Sequence, residues 1–118
     1  MNRSKLTGYF GEDIAVDFLI KNDFTILERN WKHKHWEVDI IAARNNCLHF
    51  VEVKTRTSTK FGNPEESINT TKMNALKKAA EEYLLQHNKC VNIQFDVVSV
   101  LLQGKKVNEI LMIEDVFF

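Results

Sequence analysis

Two short segments of this chain place ionisable side chains in the middle of apolar, β-forming sequence. Residues 36–41 read WEVDII, and residues 50–56 read FVEVKTR. A carboxylate inside an apolar strand is unfavourable unless a cation or several hydrogen bonds compensate for its lost hydration. Three carboxylates and a lysine in two strands that follow each other along the chain therefore favour a divalent metal site. Such a site requires the two strands to lie side by side in the sheet.

Composition indicates one soluble globular domain that spans residues 1–118. Hydrophobic residues make up 44% of the chain and charged residues 27%, a balance that allows a core without covalent staples. The N-terminus lacks the apolar run of a signal peptide, and no stretch approaches the roughly 20 apolar residues of a membrane span. Cys47 and Cys90 fit no CxxC pattern, which favours free thiols and a cytoplasmic location.

Periodicity predicts an α/β domain with a mixed sheet. Helices are expected over residues 5–22 and 69–87. The predicted strands cover residues 24–31, 36–43, 47–56, 91–102 and 107–113, with a tight turn at 44–46 and a polar loop at 57–68. The order is a helix, three strands, a second helix and one or two further strands, so the second and third strands should form a hairpin.

This predicted hairpin brings the acidic residues together, because side chains two apart on a strand share a face. The second strand would carry Glu37, Asp39 and Ile41 on one face, and Trp36, Val38, Ile40 and Ala42 on the other. Glu52 and Lys54 share a face of the third strand. The turn would set Asp39 opposite residue 51 and next to Glu52, and a slip of one residue would change which faces pair.

The electrostatics of such a pair call for a cation. Two carboxylates about 4 Å apart repel by roughly 4 kcal/mol at an effective dielectric constant of about 20. Without a cation, either Asp39 or Glu52 would take up a proton. Mg²⁺ or Mn²⁺ removes that cost, and Lys54 adds the positive charge that phosphodiester hydrolysis needs. The alternative is a polar sheet face with exposed salt bridges.

The same residues carry a resemblance. Asp39, with Glu52-Val53-Lys54 on the next strand and Glu12 on the preceding helix, resembles the active site of the PD-(D/E)XK nuclease superfamily. Nearly the whole chain is similar to the YraN family of small bacterial proteins, itself similar to archaeal Holliday junction resolvases. The matching features are Gly8, Gly11, Glu12, Ala15, Asn30, residues 37–41, 50–56 and 61–66, Lys72, and residues 95–98. Trp36 departs from the pattern, because the family usually has glycine there.

The resemblance implies a restriction-endonuclease-like αβββαβ core with a metal-dependent site. Asp39 and Glu52 would ligate Mg²⁺ or Mn²⁺ together with the backbone carbonyl of Val53. Lys54 would position or activate the attacking water. Glu12 would reach the site from the first helix, as an outer-shell or second-metal ligand, although an ordinary helix-surface carboxylate is an alternative for it.

Basic side chains near these segments are expected to contact nucleic acid. The expected contacts are Arg56, Lys72, Lys32, Lys34 and Lys60. Each has an ordinary alternative: Arg56 could bridge to Glu37, Lys72 could be a solvated helix residue, and the others could be plain surface. Glu37 is equally compatible with a structural salt bridge and with a catalytic part.

A zinc site is the less favoured interpretation of the histidines and cysteines. His33-x-His35 and Cys47-x-His49 place each pair on one strand face, but structural zinc sites favour C-x₂₋₄-C spacing. Cys47 and His49 are also expected on the face opposite Glu52. His49 is better explained as a partly buried, hydrogen-bonded residue.

The sequence therefore predicts a Mg²⁺- or Mn²⁺-dependent endonuclease that hydrolyses DNA. Branched DNA as the substrate and a homodimer as the assembly follow from the resemblance to junction resolvases. A nucleic-acid-binding module without turnover stays open, because of Trp36 and a net charge of zero from 16 basic and 16 acidic residues. A partner-binding structural protein also stays open, because the chain ends in the apolar residues 116–118, which could instead fold back onto the core.

Overall fold

In the residues that the computed structural model describes, 3–57, 70–87, 92–104 and 106–116, two helices flank one five-stranded sheet. The elements are α1 (Arg3–Lys21), β1 (Thr25–His33), β2 (Trp36–Arg44), β3 (Cys47–Arg56), α2 (Thr70–Gln86), β4 (Asn92–Gln103) and β5 (Lys106–Ile113). The predicted α/β class and element order are confirmed, and they are consistent with a restriction-endonuclease-like core. Residues 58–69, most of the predicted loop, lie outside this description.

The sheet is mixed, with the strands in the order β1-β2-β3-β4-β5. The β1–β2, β2–β3 and β4–β5 pairs are antiparallel, and β3 and β4 are parallel. A parallel pair needs a crossover, which α2 provides between β3 and β4. No helix in the described part of the chain is long and apolar enough to cross a membrane.

Each face of the sheet has its own core. The α1 face buries Ala15, Leu19, Phe24, Ile40, Ala42, Val51, Val98, Val100 and Leu102. The α2 face buries Val38, Ile41, Leu48, Phe50, Leu76, Ala79, Ala80, Tyr83 and Phe95. Strands β2, β3 and β4 are thus covered on both sides, which explains their nearly continuous apolar sequence and makes any charge within them costly.

The β2–β3 turn is shorter than expected, and it moves the register by one residue. Asn45 and Asn46 both have positive φ, 53° and 59°, the conformation of a two-residue hairpin turn that asparagine tolerates. Ile40 therefore pairs with Val51. The expectation that residue 39 lies opposite residue 51 is wrong, and continuing the observed register sets Asp39 beside Glu52.

The expected alternation of side chains along β2 is also wrong at one point. Val38 packs with Ile41 in the α2-face core, whereas Ile40 packs in the α1-face core. The break falls at Asp39, and the β1–β2 pairing also skips this residue together with Asn30, whose φ is 52°. This irregularity frees the Asp39 side chain from the regular pleat.

Gly11 brings α1 unusually close to β3. A Cβ atom added at Gly11 would lie 1.8 Å from Thr55 Oγ1 and 2.8 Å from Thr55 Cβ. Real Cβ atoms do not approach that closely, so only glycine allows this packing. The contact fixes the position of the next residue, Glu12, relative to β3.

We expect Gly11→Ala to lower the free energy of unfolding by roughly 1–3 kcal/mol. A helical glycine replaced by alanine would ordinarily stabilise the helix by up to about 1 kcal/mol, so even the sign of the change is informative. Urea unfolding measures it. Adding Thr55→Gly should recover part of the loss, and an unchanged or higher stability of Gly11→Ala alone would contradict the close contact.

Candidate active site

Asp39 is a largely buried carboxylate that turns from β2 onto the backbone of β3. The Val53 N–H donates a hydrogen bond of 2.8 Å to Asp39 Oδ2. Burial raises the pKa of Asp39 to about 7, and the nearby charges of Glu52, Glu12 and Glu37 add to the effect of burial. The hydrogen bond from Val53 opposes this rise, but it does not balance it. Asp39 therefore lies in a negatively charged region that favours the binding of a proton or a cation.

Glu52 lies on the α2 face of β3, only 8% exposed, with two lysines at one of its oxygens. Lys54 Nζ is 3.5 Å from Glu52 Oε1, and Lys72 Nζ from α2 forms a closer ion pair with the same oxygen. Burial lowers the pKa of Lys54, and the adjacent Lys72 lowers it further. Burial also acts to lower the pKa of Lys72, but its hydrogen bonds to Glu52 and Lys54 and the negative charges of Glu52 and Asp39 together outweigh burial, so the pKa of Lys72 is raised.

Glu12 reaches the same region from α1. Its Oε1 atom is buried, and no described residue shares a hydrogen bond with it. Burial raises the pKa of Glu12, the charge of Arg29 opposes that, and the charges of Glu37 and Glu52 reinforce it. Arg29 is engaged elsewhere, because its guanidinium lies 2.7 Å from Asp13 Oδ1. A buried carboxylate oxygen without a donor is costly unless something absent from this chain binds it.

The structure brings Asp39, Glu52, Lys54 and Glu12 together, and it adds Lys72. The basic residues expected to contact nucleic acid are more scattered. Lys32 and Lys34 are exposed at the turn end of the β1–β2 hairpin, and Arg56 is the half-buried last residue of β3. Lys60 lies outside the described residues.

The donor chemistry of this region fits a hard divalent cation. Carboxylate and carbonyl oxygens are the ligands that Mg²⁺ prefers, and it commonly takes one or two carboxylates with water in the remaining positions. Asp39 and Glu52 supply the carboxylates, and Glu12 supplies a buried oxygen without a partner. Among the described residues, however, no three His, Cys, Asp or Glu side chains form a ready-made cluster. An ion would therefore bind through few protein ligands, and Glu52 would have to leave Lys72.

The other titratable cluster lies on the α1 face, away from this site. His49 Nδ1 and Asp96 Oδ2 are 2.6 Å apart, and the two residues are 3% and 1% exposed. Asp96 Oδ1 also accepts hydrogen bonds from the Gln94 side chain and the Asp115 N–H. The expectation that His49 is hydrogen-bonded is confirmed, with Asp96 as its partner, but His49 is almost fully rather than partly buried.

A cavity of about 610 Å³ lies at the opposite end of β2 and β3, beside the Asn45–Asn46 turn. Neither Asp39 nor Glu52 lines it, and it contains no convergent set of charged groups. We therefore do not assign it to the candidate site, which lies where β2 and β3 separate.

Sequence patterns did not indicate the ion pair between Lys72 and Glu52. Lys72 was expected to contact phosphate or solvent, since nothing in its spacing relates it to β3. Sequence patterns also did not predict the close contact between Gly11 and Thr55. A glycine inside a helix, directly before a candidate site glutamate, does however indicate a site of close packing. Glycine costs helix stability, so its presence there calls for a packing reason.

Comparison with known proteins places the chain in a family. The model of a family described as an uncharacterised protein family, UPF0102, matches residues 11–100. A UPF0102 protein of Caldicellulosiruptor saccharolyticus is 50% identical over 94% of this chain and 92% of its own length. Relatives of the same name in Caldicellulosiruptor bescii and Flavobacterium psychrophilum are 45% and 41% identical over 96% and 94% of this chain, and over 98% and 92% of their own lengths. The chain belongs to the UPF0102 family, which is the YraN family that its sequence resembles.

Proposed function

We propose that this protein is a Mg²⁺- or Mn²⁺-dependent nuclease that hydrolyses DNA phosphodiester bonds. The observation that carries the proposal is the pair of the half-buried Asp39 and the buried Glu52, in which the pKa of Asp39 is raised to about 7 beside Lys54. If the acidic pair had no function, its replacement by apolar residues would cost the fold little stability. The cost of keeping it is explained if a divalent cation binds there.

The position of each residue in the site indicates the role that it would have. Asp39 and Glu52 would hold the ion together with the carbonyl of Val53, and Glu12 would contribute its buried oxygen directly or through water. When bound, Mg²⁺ or Mn²⁺ supplies positive charge to the phosphate and lowers the pKa of a water molecule. Asp39 is oriented for this by the hydrogen bond from Val53, which holds its carboxylate beside β3.

Lys54 is the group best suited to handle the attacking water. Its ammonium lies on the same face as Glu52, and burial lowers its pKa. A lysine whose pKa is lowered loses its proton more readily than an ordinary lysine, so it can hold a water molecule and exchange a proton with it, as well as stabilise charge on the phosphate. A lysine with an ordinary pKa would serve only the second role.

Lys72 would act on the phosphate side of the site. In the absence of an ion it neutralises Glu52, and an ion at Glu52 would release its ammonium. A cation released next to a bound metal is placed to contact a substrate phosphate. Lys72 is therefore a candidate nucleic-acid contact, as is Arg56 at the end of β3.

One observation favours a second candidate, a nucleic-acid-binding module without turnover. Lys72 already compensates the charge of Glu52, and the described residues contain no ready-made cluster of three metal ligands. In that case the acidic pair and its lysines would be a structural ion-pair network. Binding would then be independent of divalent ions and of Glu52.

Cleavage assays separate the two candidates. Linear, flapped and four-way DNA are incubated at low salt with Mn²⁺, with Mg²⁺ or with EDTA, because phosphate contacts weaken steeply as salt rises. We expect Mn²⁺-dependent cleavage that falls by roughly a thousandfold or more in Glu52→Ala and in Lys54→Ala, as for other groups that act on the transition state. Sedimentation of the protein alone and with four-way DNA tests the proposed homodimer.

Matched controls come from exposed ion pairs outside the site. Glu114→Ala removes a carboxylate that pairs with Arg44, and Lys21→Ala removes an ammonium that pairs with Asp17. Both should cleave like the wild type. DNA binding without cleavage under every ion condition, unchanged by Glu52→Ala, would reject the nuclease in favour of the binding module.

A further inference from the structure

The end of the β1–β2 hairpin carries a row of aromatic rings, which we call the hairpin-end rings: Trp31, His33, His35 and Trp36. The Trp31 and His33 rings stack at 6.3 Å between centroids, and the His33 and Trp36 rings stack at 5.9 Å. His35 lies 5.3 Å from Trp36 at a tilt of 54°. The rings therefore form a row across the two strands in which each ring lies against the next.

The inner rings of this row are fixed by α2. Trp31 meets the edge of Tyr83 at 5.4 Å between centroids. His33 Nδ1 lies 3.2 Å from Gln86 Nε2, and its other ring nitrogen lies 3.5 Å from Glu82 Oε1. A ring held from behind offers a flat surface that loses little conformational entropy when a second ring stacks on it.

The residues that lie over Trp36, namely Lys34 and His35, are held less firmly than the inner rings. Lys34 and His35 form the turn, and both are exposed. Lys34 Nζ lies 5.9 Å above the Trp36 ring, a distance at which an exposed cation–π contact is weak. A planar ligand can thus displace Lys34 from the indole while the ammonium stays close enough to meet a negative charge on that ligand.

The hairpin-end rings lie on the same side of the sheet as Glu52 of the candidate active site. Trp31 and Trp36 pack against the α2-face core, and Glu52 lies on that face in contact with Lys72 of α2. Trp36 precedes Asp39 by three residues on β2, which corresponds to about 10 Å along a strand. A strand of nucleic acid that leaves the acidic pair toward this hairpin would reach the rings within about three stacked bases.

Local charge determines which part of a nucleic acid fits. Lys32 and Lys34 are exposed on the hairpin, but Glu37 pairs across from Lys32, and Glu82 lies beside His33. These two carboxylates repel phosphates, so the hairpin end is poorly suited to bind several consecutive phosphates. Flat rings with an occasional cation instead match nucleobases, whose faces are available in single strands and hidden in a duplex.

We propose that the hairpin-end rings bind an unpaired nucleobase by stacking on Trp36, with Lys34 at the adjoining phosphate. The site directs single-stranded segments, such as a flap or a melted end, toward Asp39 and Glu52. Its connection to cleavage rests on the nuclease function proposed above, whereas base binding itself does not require cleavage.

Binding is tested in EDTA at low salt with three fluorescein-labelled probes of equal length. The probes are oligothymidylate, an abasic oligomer with the same phosphates, and a blunt duplex. We expect the wild type to bind oligothymidylate at least about fivefold more tightly than the abasic oligomer, because each stacked base contributes measurably. Trp36→Ala should remove this preference and leave duplex binding unchanged, and Trp36→Phe should retain most of it.

A second readout uses the two tryptophans of the chain. In Trp31→Phe, the remaining fluorescence reports on Trp36 and should be quenched by oligothymidylate but not by the abasic oligomer. If Trp36→Ala does not fold, the comparison of the two oligomers on the wild type still decides. Equal affinity for both oligomers would overturn the proposal, as would failure to bind any of the three probes, which would point to a protein partner for the rings.

The two proposals fail separately. A protein that prefers bases over abasic backbone but cleaves nothing in Mn²⁺ keeps the stacking site and loses the nuclease. A protein that cleaves but shows no base preference keeps the nuclease and loses the stacking site. Lys21→Ala, which removes an exposed ammonium paired with Asp17 on α1, serves as the control and should bind oligothymidylate like the wild type.

Discussion

Asp39→Asn is expected to stabilise the protein in EDTA at pH 8 and to abolish stabilisation by Mn²⁺. The pKa of Asp39 is about 7 in the folded chain, against an ordinary value of 3.8. This difference corresponds to at most about 4 kcal/mol, and structural relaxation should leave roughly 1–3 kcal/mol. Asparagine keeps the acceptor for the Val53 N–H and removes the charge. Thermal unfolding with and without Mn²⁺ measures both effects.

The raised pKa of Asp39 also determines how the stability difference between the wild type and Asp39→Asn changes with pH. Because the folded chain binds the Asp39 proton more tightly than the unfolded chain does, the stabilising contribution is fully present below about pH 3.8 and is lost as the pH rises through about 7. Wild type and Asp39→Asn should therefore differ little near pH 4 and diverge up to pH 8. Asp13→Asn, in an exposed pair with Arg29, is the control and should change stability by less than about 1 kcal/mol. Destabilisation by Asp39→Asn at pH 8 in EDTA would contradict the raised pKa of Asp39, and equal stabilisation of the wild type and Asp39→Asn by Mn²⁺ would contradict the metal site.

Asp96→Ala is expected to destabilise the fold by about 3–5 kcal/mol, the usual cost of removing one partner from a buried pair. The substitution strips His49 of its partner and leaves the Asp115 N–H without its acceptor. Those contacts join β3 and β4 to the segment that follows β5. Urea unfolding with an unchanged slope would attribute the loss to the native contacts rather than to the unfolded chain.

Two variants bracket this prediction. Asp96→Asn keeps the shape and part of the hydrogen bonding, so it should lose less than Asp96→Ala. Glu109→Ala removes an exposed carboxylate from β5 and should stay within about 0.5 kcal/mol of the wild type. A loss below about 1 kcal/mol for Asp96→Ala would show that the pair contributes little beyond its packing.

The strands that form the centre of the sheet were predictable because their composition leaves few options. Residues 38–51 are mainly apolar on both sides of an Asn-Asn turn, which indicates a buried hairpin. The end of β1 was not predictable in the same way. Its last residues, Lys32 and His33, are polar and basic, and they join the sheet only because Glu37 and Trp36 pair with them. Tertiary pairing overrides weak local preference there.

The candidate site was predictable in its members and not in its arrangement. Alternation along a strand brings Asp39 near Glu52, but no sequence pattern indicates the break at Asp39, which lies across from Asn30 with its positive φ. The ion pair of Lys72 with Glu52 depends on how α2 crosses the sheet. Residue spacing describes neighbours within one element or one hairpin, and it carries little information about contacts made through a long crossover.

The parallel pairing of β3 with β4 has a kinetic consequence. The two strands meet only after α2 and β4 have left the ribosome, and pairings between distant segments form slowly because a long loop must close first. The β1–β2–β3 meander needs no such closure. Until β4 docks, Glu52 has solvent on the side where β4 later lies, and α2 has no fixed place to present Lys72. A nascent chain that already contains Asp39, Glu52 and Lys54 would therefore lack the assembled arrangement of Glu52 and Lys72 until β4 has emerged and docked.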